Sequence, residues 1–317
     1  MSDKHTAAAL PVWFGPLLVF MGGICIGLAP IGLRLGLDDL GPQAIAFWRY
    51  TFALPVLFLL VVLLERRLPA KPNKFVVIAA VCFALDIGLW HWALTFTTVA
   101  NSTFIVNLGN VCVGLTAWIF LKERPTPIWF VAVLVAMVGA GALTLGGGVD
   151  GKADIRGDAL ALGAAILVSC YIVAAKVARR TLGGLETIFW LTAFEILVAG
   201  LLVLVFRESF FPADLSGFIV PLFLALFVQV AGQGLIITGL GHTPAAVAGV
   251  LVLVQPVVAA AISWRLFDEP LAPLQAGGGF LILIGILINA AARALGAGQP
   301  HVKMVVMAIP RTHFAQP

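Results

Sequence analysis

Ten apolar stretches, each about 20 residues long, recur at near-regular intervals along this chain of 317 residues. A helix of that length rises about 30 Å, the thickness of a bilayer's hydrocarbon core. The stretches fall near 12–33, 43–64, 74–97, 99–121 and 127–146, then near 157–178, 184–206, 216–240, 244–267 and 273–293. The residues left over form short connections rich in turn formers, such as Asp38-Asp39-Leu40-Gly41-Pro42 and Pro69-Ala70-Lys71-Pro72-Asn73. Composition excludes a water-soluble reading of the same pattern. Hydrophobic residues make up 61% and charged residues 11%, whereas soluble domains carry roughly 25% charge. A mean hydropathy of +1.08 leaves far more apolar surface than an aqueous core can bury. The expected fold class is therefore an all-α integral membrane protein with ten transmembrane helices and no sizeable soluble domain.

Charge and cysteine content narrow the class further. The pI near 9.0 comes from basic residues scattered over short loops, which argues against a nucleic-acid partner. Cys25, Cys82, Cys112 and Cys170 lie inside apolar runs without metal-ligand spacing and read as small core residues. Residues 12–33 are too long for a signal peptide and lack a clear cleavage site, so the first run is expected to be retained as a span. With the N-terminus inside, 13 of the 19 Lys and Arg residues fall on cytoplasmic segments and 5 on outer ones, with Arg49 inside the second span. That bias predicts both termini in the cytoplasm of an inner-membrane protein.

The two halves of the chain resemble each other. At an offset of 142, Gly41, Phe47 and Trp48 meet Gly183, Phe189 and Trp190; at 146, Gly88, Thr97, Trp118, Glu123, Pro127 and Gly139 meet Gly234, Thr243, Trp264, Glu269, Pro273 and Gly285. Five spans per half is an odd number, so the halves must cross the membrane in opposite senses. The expected organisation is an N-terminal repeat over 1–146, an inverted C-terminal repeat over 147–293, and a cytoplasmic tail over 294–317. Inverted repeats characterise secondary transporters, because two similar halves can exchange shapes and open a central site to either side.

These features are similar to those of the EamA-type drug/metabolite transporter superfamily. The resemblance rests on the two five-span halves, Phe47-Trp48-Arg49 opening span two, Glu123-Arg124 and Glu269-Pro270 closing spans four and nine, and Gly139 and Gly285 in the spans after them. It covers residues 12–293 and is strongest to the bacterial aromatic amino-acid exporters of the YddG type. It implies alternating-access export of a small-molecule substrate, with aromatic or other hydrophobic amino acids favoured.

Ionisable residues at bilayer depth cost roughly 2.5–3.5 kcal/mol each and usually face a cavity or a partner. Asp86 and Glu195 lie mid-span, and are the candidates for proton coupling. Asp86 reads more readily as a residue held by a cation such as Arg49, or by a backbone or amide group. Trp90 shares a helix face with Asp86, four residues on, and His91 is one step round. Asn107 and Asn110, Gln229 and Gln233, and Gln255 before Pro256 gather polar groups on spans four, eight and nine. They read either as interhelical glue or as substrate contacts. Trp90, Trp92 and Tyr171 are placed to stack on an aromatic ring, whereas Trp13, Trp118, Trp129, Trp190 and Trp264 belong with interfacial belts. The substrate-binding candidates are Trp90, His91, Asn107, Asn110, Tyr171, Gln229, Gln233 and Gln255.

Arg49, Gly88, Gly234, Glu123 and Glu269 form a second group, for gating or structure. An acid at a helix C-terminus opposes the macrodipole, so Glu123 needs a neighbour such as Lys122 or Arg124, and Glu269 one such as Arg265. No catalytic residue, metal site or cofactor is expected, and no partner subunit is required beyond substrate and the lipid bilayer. A membrane-embedded lipid-modifying enzyme, the rival class, would need a reactive constellation of residues that is not visible. An exporter of other hydrophobic metabolites is a second alternative. Channel charge rings and a nucleotide-binding loop are likewise not visible.

Overall fold

The structure is a computed structural model that describes residues 11–93, 96–97, 99–146, 154–268 and 271–296. Ten of its helices are long and apolar enough to cross a membrane. They are α1 (Phe14–Gly36), α2 (Pro42–Glu65), α3 (Lys74–Ala93), α4 (Val99–Leu121), α5 (Pro127–Gly146), α6 (Ile155–Ala178), α7 (Gly184–Phe206), α8 (Leu215–Leu240), α9 (Ala245–Leu266) and α10 (Pro273–Gly296). No strand occurs among the described residues. Helices are what lipid demands, since every backbone N–H and C=O must be paired within the segment. The bundle is accordingly inside out by aqueous standards: Leu64, Leu134, Leu197, Leu201 and Leu204 point away from it and are exposed.

Packing obeys the repeat. The contact between α3 and α6 is matched by that between α8 and α1; α4 with α6 is matched by α9 with α1, and α3 with α7 by α8 with α2. Three further pairs, α2 with α7, α4 with α9 and α5 with α10, are each their own counterpart. Exchanging every helix for the one five places along thus regenerates these principal contacts, the packing expected of two related five-helix halves, while smaller ones such as α5 with α9 and α6 with α8 are not repeated. In the tightest pair, a Cβ on Gly139 would lie 2.6 Å from the Gly278 carbonyl, and one on its equivalent Gly285 2.7 Å from that of Ala132. Both positions need hydrogen as the side chain for α5 and α10 to meet.

Helix ends repeat as well. Among the described residues, the four non-glycine positions with positive φ are Arg66, Lys122, Arg207 and Asp268. They end α2, α4, α7 and α9, and so form two equivalent pairs. A left-handed residue of this kind costs roughly 1–2 kcal/mol, so each stop must be held by contacts of the connection beyond it.

Regularity breaks in three places, none shared between halves. α1 is interrupted by a turn at Gly27 and Leu28, whereas α6 runs unbroken; α9 is interrupted at Val252 and Leu253, whereas α4 is continuous. α8 contains a π-helical stretch, Leu224–Gln233, but its counterpart α3 is regular α-helix. Discontinuous helices near mid-membrane are tolerated where they are covered by protein or line a cavity.

Candidate functional site

Nine polar side chains from five helices meet in the interior. α2 supplies Arg49 and Tyr50, α3 Asp86 and His91, α6 Tyr171, α7 Thr192 and Glu195, and α8 Gln229 and Gln233, each no more than 9% exposed. Asp86 lies 12 residues into α3 and Glu195 11 into α7, about 17 Å from the helix start at 1.5 Å per residue and hence near the bilayer midplane. The members occupy one electrostatic neighbourhood: Tyr50 senses Arg49, Glu195 and Asp86, Tyr171 senses Glu195, Tyr50 and Asp86, and His91 senses Arg49.

Their hydrogen bonds form small sets and leave open valences. Gln229 Nε2 donates to Glu195 Oε2 at 2.8 Å and to Thr192 Oγ1 at 2.9 Å. Tyr171 donates its hydroxyl to Gln233 Oε1 at 3.2 Å, and Phe83 packs on its ring at 4.7 Å. Arg49 Nη2 donates to the Tyr50 hydroxyl at 2.7 Å, with the guanidinium carbon 4.6 Å from that ring's centre. The buried atoms Arg49 Nε, His91 Nδ1, Glu195 Oε1 and Gln229 Oε1 have no hydrogen-bond partner. Each such atom costs about 1–3 kcal/mol, beyond the roughly 2.5–3.5 kcal/mol for inserting each of Arg49, Asp86 and Glu195 at depth. A scaffold would not carry that burden, because replacing such groups with apolar ones is often stabilising.

The pairing of Arg49 with Asp86 weighed from sequence is not formed: among the described residues neither makes an ion pair, and Asp86 makes no hydrogen bond. Gly234 closes the π-helical stretch beside Gln233. It is buried, yet a Cβ there would meet nothing within 4 Å, so an enclosed gap adjoins the cluster. π segments are frequent at functional sites, and this one carries Gln229 and Gln233. Gly88, matched to Gly234 in the repeat, differs: its Cβ would lie 2.7 Å from a methyl of Leu202.

The other candidates are dispersed. Trp90 is half-buried, 5.3 Å from the His91 ring. Asn107 and Asn110 are half-buried on α4 and joined only by a long 3.4 Å bond, and Gln255 is half-buried just after the break in α9. No hydrogen bond joins these three to the cluster among the described residues. Trp92 is 42% exposed, against Phe96 and Phe206, so it is a surface ring. Trp129, expected in a belt, is buried with its indole N–H on the Ala246 carbonyl at 2.8 Å; the close crossing of α9 over α4 and α5 covers it.

Glu123 finds partners other than Lys122 and Arg124. Its carboxylate accepts from the Ala245 N–H at 2.9 Å and pairs with Lys176 at 3.2 Å; the ammonium of Lys176 also donates to the Thr243 carbonyl. The left-handed turn at Lys122 carries the carboxylate off α4 and onto the first residue of α9. Glu269 lies outside the described residues.

Two further acids that sequence reasoning missed clasp the halves together. Glu208 accepts from the N–H groups of Gln43 and Ala44, both at 2.9 Å, at the start of α2. Burial pushes its carboxyl above the ordinary glutamate range, and those two bonds oppose the shift. At the other end Glu186 accepts from Gly183 N–H at 2.9 Å and Ala70 N–H at 3.0 Å and pairs with Arg67 at 3.2 Å. The equivalent tryptophans complete the clasp, Trp190 donating to the Ala70 carbonyl at 2.7 Å and Trp48 to that of Phe210. The available signal was an acid near the boundary of α7 on either side, Glu186 in its first turn and Glu208 just past its end.

The sequence matches the model of the EamA-like transporter family twice, over residues 13–145 and 155–291. The chain belongs to the EamA-like transporter family. An uncharacterized transporter of Bacillus subtilis, YwfM, is 28% identical over 243 residues, 74% of this chain and 79% of its own length. A second from that organism, YetK, is 25% identical over 286 residues, 86% and 82% of the two chains. A solved crystal structure superposes with a TM-score of 0.75 at 17% identity over 88% of this EamA-like chain and 98% of its own. It shares the fold. The family and these relatives are named as transporters, which sets the buried cluster in a protein that moves a solute.

Proposed function

We propose that this chain is a secondary transporter that exports aromatic or other hydrophobic amino acids across a bacterial inner membrane, in the manner of YddG-type exporters. The observation that carries the reading is the midplane cluster. Charged, amide and hydroxyl groups from α2, α3, α6, α7 and α8 are buried at heavy cost, with unmet hydrogen-bonding capacity beside a gap at Gly234. A solute with polar groups and a ring suits such a place. Tyr171 offers a ring face beside Gln233, Tyr50 and His91 add rings in the same cluster and Trp90 lies against His91, while Asn107, Asn110 and Gln255 lie on α4 and α9 as contacts for other stages of the cycle.

Alternating access is the natural use of the repeat. With residues 1–146 and 147–293 as inverted halves and both termini in the cytoplasm, rocking one half on the other opens the cluster to one side and then the other. Glu123 and Lys176 tie the end of α4 to α6 and α9 on the cytoplasmic side, so they close the inward path when paired. Asp86 makes no hydrogen bond among the described residues and is the stronger candidate for proton coupling; Glu195 is held by Gln229. The tail over 294–317 lies almost wholly outside the described residues.

The test is uptake of radiolabelled phenylalanine, tryptophan and threonine into proteoliposomes, by counterflow and with or without a pH gradient. Saturable counterflow of the aromatic amino acids, lost on heating, is the expected result. No counterflow of any amino acid overturns the substrate reading. Acceleration of uptake by an outward proton gradient, acid inside as proton–substrate exchange requires, that Asp86→Asn abolishes supports coupling through Asp86, and indifference to the gradient removes it.

A further inference from the structure

Three of the unpartnered polar atoms of the cluster differ in kind. Arg49 Nε is a donor on a permanent cation, whereas Glu195 Oε1 and Gln229 Oε1 are acceptors. Arg49 is 7% exposed and spends one nitrogen on the Tyr50 hydroxyl; no carboxylate of the described residues reaches it within ion-pair distance. Glu195 is fully buried, with one oxygen held by Gln229 Nε2 and the other free. The same Gln229 presents its carbonyl oxygen unpaired. Arg49 and Glu195 interact at long range but do not touch.

An interior with an unanswered cation on α2 and two unanswered acceptors on α7 and α8 is complementary to a small dipolar ion. We propose that Arg49 receives the α-carboxylate and that Glu195 with Gln229 receives the α-ammonium group of the transported amino acid. The guanidinium offers Nε and a second nitrogen in the fork that matches a carboxylate. An ammonium carries three N–H groups and satisfies Glu195 Oε1 and Gln229 Oε1 together. Thr192 shares the Gln229 amide at 2.9 Å, which holds that amide so that its carbonyl is turned to the ligand.

The two ends of the ligand are then read by different halves of the protein. Arg49 belongs to the first, and Thr192, Glu195 and Gln229 to the second. Laid on each other at the repeat offsets, Arg49 falls on Leu191, Glu195 on Ala53 and Gln229 on Phe83, so neither half can do the other's task. A ligand bridging Arg49 and Glu195 links the halves electrostatically, and one lacking either charge engages only one of them. This assignment rests on the amino-acid reading above but not on its preference for aromatic side chains.

The experiment uses the full chain in proteoliposomes and competes labelled phenylalanine counterflow with unlabelled phenylalanine, 3-phenylpropionate and 2-phenylethylamine. In the wild type, each single-charge analogue is expected to compete at least tenfold more weakly than phenylalanine. Arg49→Gln should weaken 3-phenylpropionate tenfold and leave 2-phenylethylamine nearly unchanged; Glu195→Gln should do the reverse. Arg49→Lys and Glu195→Asp, which keep the charge, should retain the wild-type order. Ligand-induced thermal stabilisation of the purified variants in detergent reads the same pattern where counterflow is too slow. Equal loss for both analogues in both variants would make the residues merely structural and overturn the proposal, as would no change in either. If the wild type carries threonine but not phenylalanine, the aromatic preference fails alone. The charge assignment is then tested with threonine and its decarboxylated and deaminated analogues. If it carries no amino acid, both readings fall.

Discussion

The two halves agree at the ends of their helices and disagree in the middle. At the ends, α2 and α7 clasp each other reciprocally: Glu208 bonds the start of α2 and Glu186 the connection after α2, while Trp48 and Trp190 each donate to a carbonyl of the opposite half. Left-handed stops recur at Arg66 and Arg207, and at Lys122 and Asp268. In the middle the pattern parts. Arg49, Asp86 and His91 have apolar or glycine counterparts, α8 is π-helical where α3 is α-helical, and α1 and α9 are broken where α6 and α4 are not. The difference separates two tasks. Exchange of shape between halves requires equivalent frames, whereas recognising a solute that is itself asymmetric requires an asymmetric centre.

Substitutions at equivalent positions can break this division, and the largest effects belong to the frame. Gly139→Val and Gly285→Val both drive a side chain into the backbone of the facing helix and should each cost about 3 kcal/mol, equally for the two. Thermal unfolding in detergent checks this, and a large difference between the pair would deny that the ends are equivalent. Trp48→Phe and Trp190→Phe remove one hydrogen bond each and should each cost about 1 kcal/mol, again as a matched pair.

The central glycines should part company. Gly88→Ala meets Leu202 at 2.7 Å, so it should destabilise slightly while that flexible side chain turns aside; Gly234→Ala meets nothing within 4 Å and should leave stability within about 0.5 kcal/mol. Gly234→Leu fills the gap and should lower transport several-fold with the protein still folded. Normal counterflow by that variant would remove the gap from the substrate path.

The smallest effect expected is one of pH at the clasp. Burial raises the Glu208 carboxyl above its ordinary 4.5, so the folded chain holds that proton more tightly than the unfolded chain does. Stability attributable to Glu208 is therefore greatest below the unfolded value and declines as pH rises through the window up to the folded one. Glu208→Gln should flatten that part of the pH profile of the melting temperature. An unchanged profile would show that Glu208 does not sense the clasp.

Much of the frame is legible in the sequence, because bilayer thickness sets helix length and the repeat is carried by Trp, Glu, Pro and Gly in register. The ten spans can be read to within a few residues. The centre is legible in part: Asp86, Glu195, Gln229, Gln233 and Tyr171 stand out as polar residues in apolar runs, and the structure gathers them. Tyr50 and Thr192 escape such a reading, although they fall on each other at the offset of 142, which is the available signal. Arg49 reads as gating or structural, since an arginine six residues into a span is indistinguishable by position from one that snorkels to the interface. Glu123 points in sequence to its own neighbours, whereas Lys176 and Ala245 reach it only through packing. The π-helical stretch of α8 has no marker in Leu224–Gln233, whereas the breaks in α1 and α9 are each followed within one turn by a proline, Pro30 and Pro256, which cannot donate to the preceding turn.

The proposed mechanism requires that one buried centre be reached from both sides of the membrane in turn. Replacing Cys25, Cys82, Cys112 and Cys170, all unpaired, and then introducing Gly234→Cys places a single thiol at the gap. Labelling it with a membrane-impermeant reagent added from one side at a time, with and without phenylalanine, measures access directly. Alternating access predicts modification from either side, slowed by phenylalanine. Modification from one side only, whatever solute is present, would contradict alternating access at this centre.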